Sequence, residues 1–467
     1  MFNFKVLIIS LLPGSHRNLS CLSIFSFLRA NDVDVDLLFI PKEEEYDCSL
    51  INRFLALNKY NFIGLSVMTE NFNFAKLLTQ NIKTQTPGAH VIWGGIHPTL
   101  KPEECLMHAD SICIGEAEAV LLQVLKNISQ NLEFSDLPGV GVRLDDGRVV
   151  VNRPDQVADL DSLPIVTYDW DSFYIQDAIG LRTFDKSDYI RYSNYNGEDY
   201  TLMTSRSCPF SCAYCCNSYL NKLYKSKGRI RRRTVGHVIK EIKHAMQHIN
   251  GIKFINFIDD QFLTSKEWNE EFCAQYKKEI GLPFIVRLKP GTFIENDLVL
   301  LNDAGLSFVQ VGLQSGSEKT NKTIFARNFN KDTILKSSKL FNKYNIVPHW
   351  DVIIQNDLEE DRERRKTIEL MLELDKPFKS FFFALTPFPN TRLEEIYKEK
   401  GIIPRTNPYM NGYRDYDEED FYFQLANIIP KTSNNICRFF LDNSEDENVR
   451  RVVSSFYAEL KRSNGLK

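Results

Sequence analysis

Eleven short apolar runs alternate with longer amphipathic stretches along this chain, and that alternation limits the folds open to it more than any other feature. KVLIIS, VDLLFI, FIGLSV, HVIWGG and SICIG fall before about residue 130. They read as strands, and the segments between them carry helix-like spacing. Parallel strands joined by helices give a Rossmann-like, doubly wound α/β sheet, whose ligands lie at the carboxyl ends of the strands. The loops Ser66 to Asn71, Gly94 to Thr99 and Gly115 to Glu118 are therefore the places to look. A hairpin over Leu137 to Val151, with turns at Pro138-Gly139 and Asp145-Asp146-Gly147, closes a first domain of residues 1–153.

Residues 154–195 show little periodicity and many Asp, Tyr and Ser, which suits a linker packed over a surface. YTLMT, IKFINFI, PFIVRL, SFVQVG, PHWDVII and SFFFALT then form a second series, with helical stretches such as Val235 to Ile249 and Asp332 to Lys343 between them. Six such units make a partial (β/α)6 barrel over 196–400, again with its chemistry at the strand ends. Residues 401–467 are aromatic and acidic near Tyr409 to Tyr422 and helical near Asn448 to Lys461, a small, mainly helical cap. A length of 467 residues accommodates this division.

Composition removes several classes. With 43% hydrophobic and 25% charged residues the chain is an ordinary globular one. A net charge of -4 offers no general attraction for nucleic acid, and the run of Arg229, Arg231, Arg232 and Arg233 is only local. The apolar run Val6 to Leu12 stops at Pro13-Gly14 without a small-residue cleavage site, so it reads as a buried strand. No run reaches the length of a membrane span. Ten cysteines without a disulfide-like framework point to a reducing cytoplasm.

In SCPFSCAYC, directly after a strand, Cys208, Cys212 and Cys215 stand at spacings of four and three. Ten cysteines in 467 residues occupy a random position about 2% of the time, so both partners arise by accident for any of the ten in about 0.5% of such chains. Zinc would want a fourth Cys or His, and the adjacent Cys216 is poorly placed to supply it. A four-iron cluster held by three thiolates leaves one iron open to chelate an amino and a carboxylate group. Zinc and packed thiols remain the other readings; Cys216 and Cys273 read as packing residues.

This spacing, with Tyr214 just before the last cysteine, resembles the radical SAM superfamily. The resemblance implies a [4Fe-4S] cluster on Cys208, Cys212 and Cys215 and S-adenosylmethionine (SAM) on the open iron. FIDDQF, with Asp259 and Asp260, is similar to the family's segment at the SAM amino group, and VGLQSGSEKT, with Gln314 and Ser315, to its ribose or carboxylate contacts. Tyr214, Arg327, DVIIQNDLEED and LTPFPNTRL stand at familiar places. Ser207 and Gln314 replace the Gly and Glu frequent in relatives.

GLSVMTEN, WGGIHPTLKPEE and ADSICIGEAEAV, ahead of such a barrel, resemble the cobalamin-binding domain of the cobalamin-dependent branch of that superfamily. The resemblance implies a corrinoid on the strand ends, with Ser66, Thr69, Gly94, Gly95, His97, Gly115 and Glu116 as its contacts. Orientation of its own loop is the other reading of His97. The Asp-x-His-x-x-Gly signature of a cobalt-ligating histidine is absent, since His16 lies in Gly-Ser-His-Arg, and the lower face of the corrinoid would then lie near Met68 to Asn71 without a protein histidine. Ala117 replaces a glycine frequent in relatives.

The function so implied is methylation of an unactivated carbon, or of phosphorus, by way of a 5′-deoxyadenosyl radical and methylcobalamin. Cyclisation, rearrangement or oxidation without methyl transfer is the alternative, and a corrinoid- or redox-sensing binding protein a more distant one. The implied partners are a small-molecule or lipid-like substrate and an electron donor such as flavodoxin or ferredoxin. No residue is singled out as an acid, base or nucleophile.

Overall fold

The computed structural model describes residues 5–11, 18–193, 195–226, 228–263, 265–410 and 417–463; Pro13, Gly14 and His16 lie outside them. The chain divides into two compact units, one of Met1–Pro209 with Tyr219–Asn256 and one of Phe210–Ser218 with Phe257–Lys467.

The first unit is built on a nine-stranded sheet. Its strands are β1 (Val6–Ser10), β2 (Val35–Phe39), β3 (Phe62–Ser66), β4 (His90–Gly94), β5 (Ser111–Cys113), β6 (Val140–Arg143), β7 (Val149–Val151), β8 (Phe173–Asp177) and β9 (Gly180–Thr183). They lie in the order β7-β6-β5-β4-β3-β1-β2-β8-β9. Strands β1 to β5 are parallel, and β6 pairs antiparallel with β5 and β7. Helices cover the sheet, so β1 and β2 are buried along their whole length, and this is why they read as nearly continuous apolar runs. The helix Leu19–Ala30 begins where the Asn18 side chain accepts from the Cys21 N–H at 3.2 Å, and it buries Cys21, Leu22, Phe25 and Leu28. The strand order reverses at β1, which stands between β2 and β3 and opens a crevice at their carboxyl ends.

The stretch expected to be a linker instead supplies β8 and β9, with β8 parallel to β2 and β9 antiparallel to β8. Its polar residues hid the strand. Gln176 and Asp177 are buried, yet Gln176 Nε2 donates to the Glu45 carbonyl at 2.6 Å, and Asp177 accepts from the Tyr192 hydroxyl at 2.8 Å and Arg182 at 3.2 Å.

The later strands are β10 (Asp199–Leu202), β11 (Ser205–Arg206), β12 (Arg231–Arg232), β13 (Phe254–Phe257), β14 (Phe284–Leu288), β15 (Leu306–Gln314), β16 (Val347–Gln355) and β17 (Lys379–Ala384). A six-stranded sheet runs β10-β13-β14-β15-β16-β17, the partial barrel expected from six β/α repeats. In the second unit β14 to β17 are all parallel. Val309, Val311, Trp350 and Val352 are buried on one face, whereas Phe308, Gln310, His349 and Asp351 alternate onto the lumen face. The helices Phe421–Ile428, Asn434–Asp442 and Glu447–Ser463 form the expected helical end of the chain. They are tied to the helix Asp361–Glu373 by the Arg364–Asp420 pair and by Arg365 Nη2 to Asp442 at 2.5 Å. Among the described residues no helix is long and apolar enough to cross a membrane.

Candidate functional site

A cavity of about 340 Å³ in the first unit opens at the carboxyl ends of β1, β3 and β4. Gly64 and Gly94 help form its floor, with Ser66, Gly95, Gly115 and Glu116 in its wall. A Cβ at Gly64 would press to 3.0 Å from Ile8, and one at Gly95 would stand 2.8 Å from the Val67 carbonyl. Glycine is thus what keeps this crevice open. Thr69 and His97 do not line it. The His97 ring is fully buried, its Nδ1 stands 3.2 Å from the Thr69 hydroxyl, and its centroid is 4.6 Å from that of Phe72. Burial, helped by Lys101, lowers its pKa to about 4, so it is neutral. Both brace their own loops, the second of the two readings given for His97.

The acidic corner is more connected than its sequence suggested. The Glu116 carboxylate is forked by Arg231, with Nη1 at 2.9 Å, and accepts from the Val157 N–H at 2.9 Å. Glu118, which is buried, accepts from Arg206 Nη2 at 2.5 Å and the Ser23 hydroxyl at 2.7 Å. Burial opposes its charge, but Arg206 and Ser23 together hold its carboxyl below the usual range. Arg233 likewise serves Glu241 at 2.6 Å. Two members of the arginine run, Arg231 and Arg233, are internal counter-ions here. Gly115, at φ +76°, is required for a neighbour: a Cβ there would collide with the Tyr224 hydroxyl, which accepts from the Glu116 N–H at 2.9 Å.

The cysteine loop begins in the first unit, where the Cys208 carbonyl accepts from Asn221 Nδ2 at 3.0 Å. Ser207, standing where a glycine was expected, adopts φ +83°, a conformation that strains a residue with a Cβ. In the second unit the loop is pinned by backbone bonds, Ala213 N–H to the Phe325 carbonyl and Leu393 N–H to the Ala213 carbonyl, both 2.9 Å. Arg327 Nη1 donates to the Tyr214 hydroxyl at 2.8 Å and reaches Cys212 Sγ at 4.0 Å, while Nη2 donates to the Gly312 carbonyl at 3.0 Å. The neighbouring Cys216 side chain and burial together raise the Cys215 pKa. Asp260 meets Asn217 two residues after Cys215. Gln314 ends β15 at φ +67° beside Gly312. Ser315 is fully buried, with its hydroxyl donated to Glu359 at 2.8 Å, a bond that shapes the turn.

Among the described residues no three His, Cys, Asp or Glu side chains converge to hold one metal ion. The four irons of a cluster take their thiolates at separate corners, so a three-thiol loop suits a cluster without such convergence. Residues 202–371 match the radical SAM superfamily model, and residues 5–125 match that of the B12 binding domain. The chain belongs to the cobalamin-binding radical SAM enzymes. A [4Fe-4S] cluster, SAM and cobalamin are accordingly the enzyme's cofactors, and the glycine-floored cavity and the three-thiol loop fit two of them. An uncharacterised methyltransferase of Pyrococcus horikoshii is 26% identical to the enzyme over 86% of this chain and 79% of its own. The anaerobic magnesium-protoporphyrin IX monomethyl ester cyclase of Rubrivivax gelatinosus is 23% identical over 73% of this chain and 59% of its own. The radical SAM methyltransferase TsrM of Kitasatospora setae, solved with cobalamin and a [4Fe-4S] cluster, shares the fold with a TM-score of 0.70 at 15% identity, covering 85% of this chain and 75% of its own.

Sequence reasoning missed Arg206 at the cavity, Arg231 and Tyr224 on its wall residue Glu116, and the lumen row Arg287, Gln310 and Asp351. The lumen row did carry a signal: a charged or amide residue inside each of three successive apolar strands.

Proposed function

We propose that this cobalamin-dependent radical SAM methyltransferase adds a methyl group to an unactivated carbon, or to phosphorus, of a small molecule. The observation that carries the reading is the presence, in one chain, of a glycine-floored cavity in a B12-binding domain and of a three-thiol loop with no fourth protein ligand in its motif. When bound, the cluster supplies the electron that cleaves SAM, and cobalamin supplies the methyl group. Cys208, Cys212 and Cys215 would each hold one iron. Arg327 fixes the loop through Tyr214 and Gly312, and its Nη1 reaches Cys212 Sγ. Asp259, Asp260 and Gln314 would face SAM; Ser66, Gly94 and Gly95 would face cobalamin. The protein's further share is to hold the substrate carbon in place and keep water out. A reducing cytoplasm and a flavodoxin or ferredoxin as electron donor complete the setting.

The similarity to a cyclase keeps radical chemistry without methyl transfer as a second reading. To separate the two, the protein is reconstituted anaerobically with iron, sulfide, hydroxocobalamin, reductant and SAM, and 5′-deoxyadenosine and S-adenosylhomocysteine are quantified with candidate substrates. Methylation yields both products; deoxyadenosine alone supports the second reading. Cys212→Ala must lose the cluster absorbance and all SAM cleavage, and retained cleavage would refute the assignment.

A further inference from the structure

The lumen of the second unit carries a polar row; Arg287 and Gln310 lie outside the segments likened to those of the family, and Asp351 opens the segment DVIIQNDLEED. Arg287 on β14, Gln310 on β15 and Asp351 on β16 lie on neighbouring strands. Arg287 Nη1 donates to the Ile258 carbonyl at 3.2 Å, and Nε donates to Gln310 Oε1 at 3.0 Å. That bond orients the Gln310 amide, so that Nε2 donates to both Asp351 oxygens at 3.0 Å. A pair built only to neutralise the carboxylate would set the guanidinium against it in a fork. Here an uncharged amide stands between them, and one shared donor leaves the carboxylate with spare lone pairs, of which it has about four.

Asp351 is therefore under-satisfied. Burial pushes its pKa up to about 6, although Gln310, Arg287 and Arg327 all act to lower it. Its ladder partner on β17 is Phe381, which is 43% exposed and stands 4.7 Å from the His349 ring. Phe382, the next residue, packs on the other face against Phe423, so Phe381 presents an accessible aromatic surface on the lumen side. Gly312, in register with Asp351 on the other side, gives its carbonyl to Arg327, the residue that also reaches Cys212. The row thus lies one strand position from the residue that braces the cysteine loop.

We propose that Asp351, presented by Gln310 and Arg287 beside Phe381, is the substrate-recognition carboxylate of the barrel, and that it takes an amine carried on an apolar ring or chain. An ammonium group supplies the positive charge and the multiple donors that the carboxylate lacks, and Phe381 offers a face that attracts a cation. The proposal rests on the radical SAM reading of the barrel and names the substrate class for it.

The test uses enzyme loaded with cluster, cobalamin and SAM, titrated calorimetrically with 2-phenylethylamine and, as the anionic match, 3-phenylpropionate. The expected result is saturable binding of the amine, weakened at least 10-fold in Asp351→Asn and several-fold in Phe381→Ala, with unchanged cluster absorbance and no saturable binding of the propionate. Equal amine affinity in the parent and Asp351→Asn, no saturable amine binding by the parent, or equal binding of the propionate overturns it. SAM cleavage without substrate is measured on the same samples. Its loss would refute the radical SAM reading and leaves the amine titration to be judged separately.

Discussion

Replacing Asp351 with Asn should make the protein more stable, although the carboxylate is native. Burial raises the Asp351 pKa from 3.8 to about 6, so ionising it in the folded chain costs about 2 pKa units more than in the unfolded one. At 1.36 kcal/mol per unit this is about 3 kcal/mol, a ceiling because the side chain is only half-buried. Below pH 3.8 both forms hold the proton and there is no penalty. As pH rises from there the unfolded chain releases its proton first, native stability falls until about pH 6, and the loss is constant above. Asn removes the charge but keeps one oxygen for Gln310, forfeiting about 1 kcal/mol of hydrogen bonding. The net expectation at pH 8 is a gain of about 1–2 kcal/mol, a rise in melting temperature of a few degrees, about 2–4 °C per kcal/mol for a unit of some 150–250 residues. At pH 5 roughly half of the ionisation penalty remains, and the gain should shrink accordingly. Anaerobic thermal unfolding of both cluster-loaded proteins, followed by circular dichroism at pH 5 and 8, measures this. A variant less stable than its parent at pH 8, or a difference independent of pH, would refute the reasoning and make Asp351 a structural anion.

Three further outcomes are expected. Gly115→Ala forces the Tyr224 ring and hydroxyl away from the Glu116 N–H and should weaken cobalamin binding at least several-fold in absorbance titrations; unchanged binding would contradict the account. Glu118→Gln leaves the half-buried Arg206 with only the more distant Glu116, at 3.5 Å, as counter-charge and should cost about 2–3 kcal/mol in denaturant unfolding. Because the Glu118 pKa is held below its usual range, that contribution is present at neutral pH and is lost as pH falls through the folded value; a cost unchanged at pH 3 would contradict the ion-pair account. Ser207→Gly relieves the φ +83° conformation and should raise stability by up to about 1 kcal/mol; a loss in unfolding experiments would show that the Ser207 hydroxyl matters more than its backbone.

The strands β1 to β5 and the six barrel strands were legible because burial on one or both faces imposes an apolar pattern that survives in any context. The cysteine loop was legible for a different reason: its three thiols lie within eight residues, so spacing alone carries the pattern. Strands β8 and β9 were missed because Gln176 and Asp177 are polar, and only their partners Glu45, Arg182 and Tyr192 make burial tolerable. Thr69, His97 and Ser315 were read as ligand contacts from their places in loops, and the fold turns them inward.

By itself, then, the sequence determined the two series of β/α units, the three-thiol loop and the glycines Gly94, Gly95 and Gly115 of the cavity, since each is set by local pattern or by close spacing. Tertiary structure alone decided which polar groups are spent within the protein and which are left for a ligand. Glu116 finds Arg231 and Glu118 finds Arg206 across 115 and 88 residues of chain, whereas Asp351 finds only an amide. Sequence separation says nothing about such pairings, and burial makes each of them decisive.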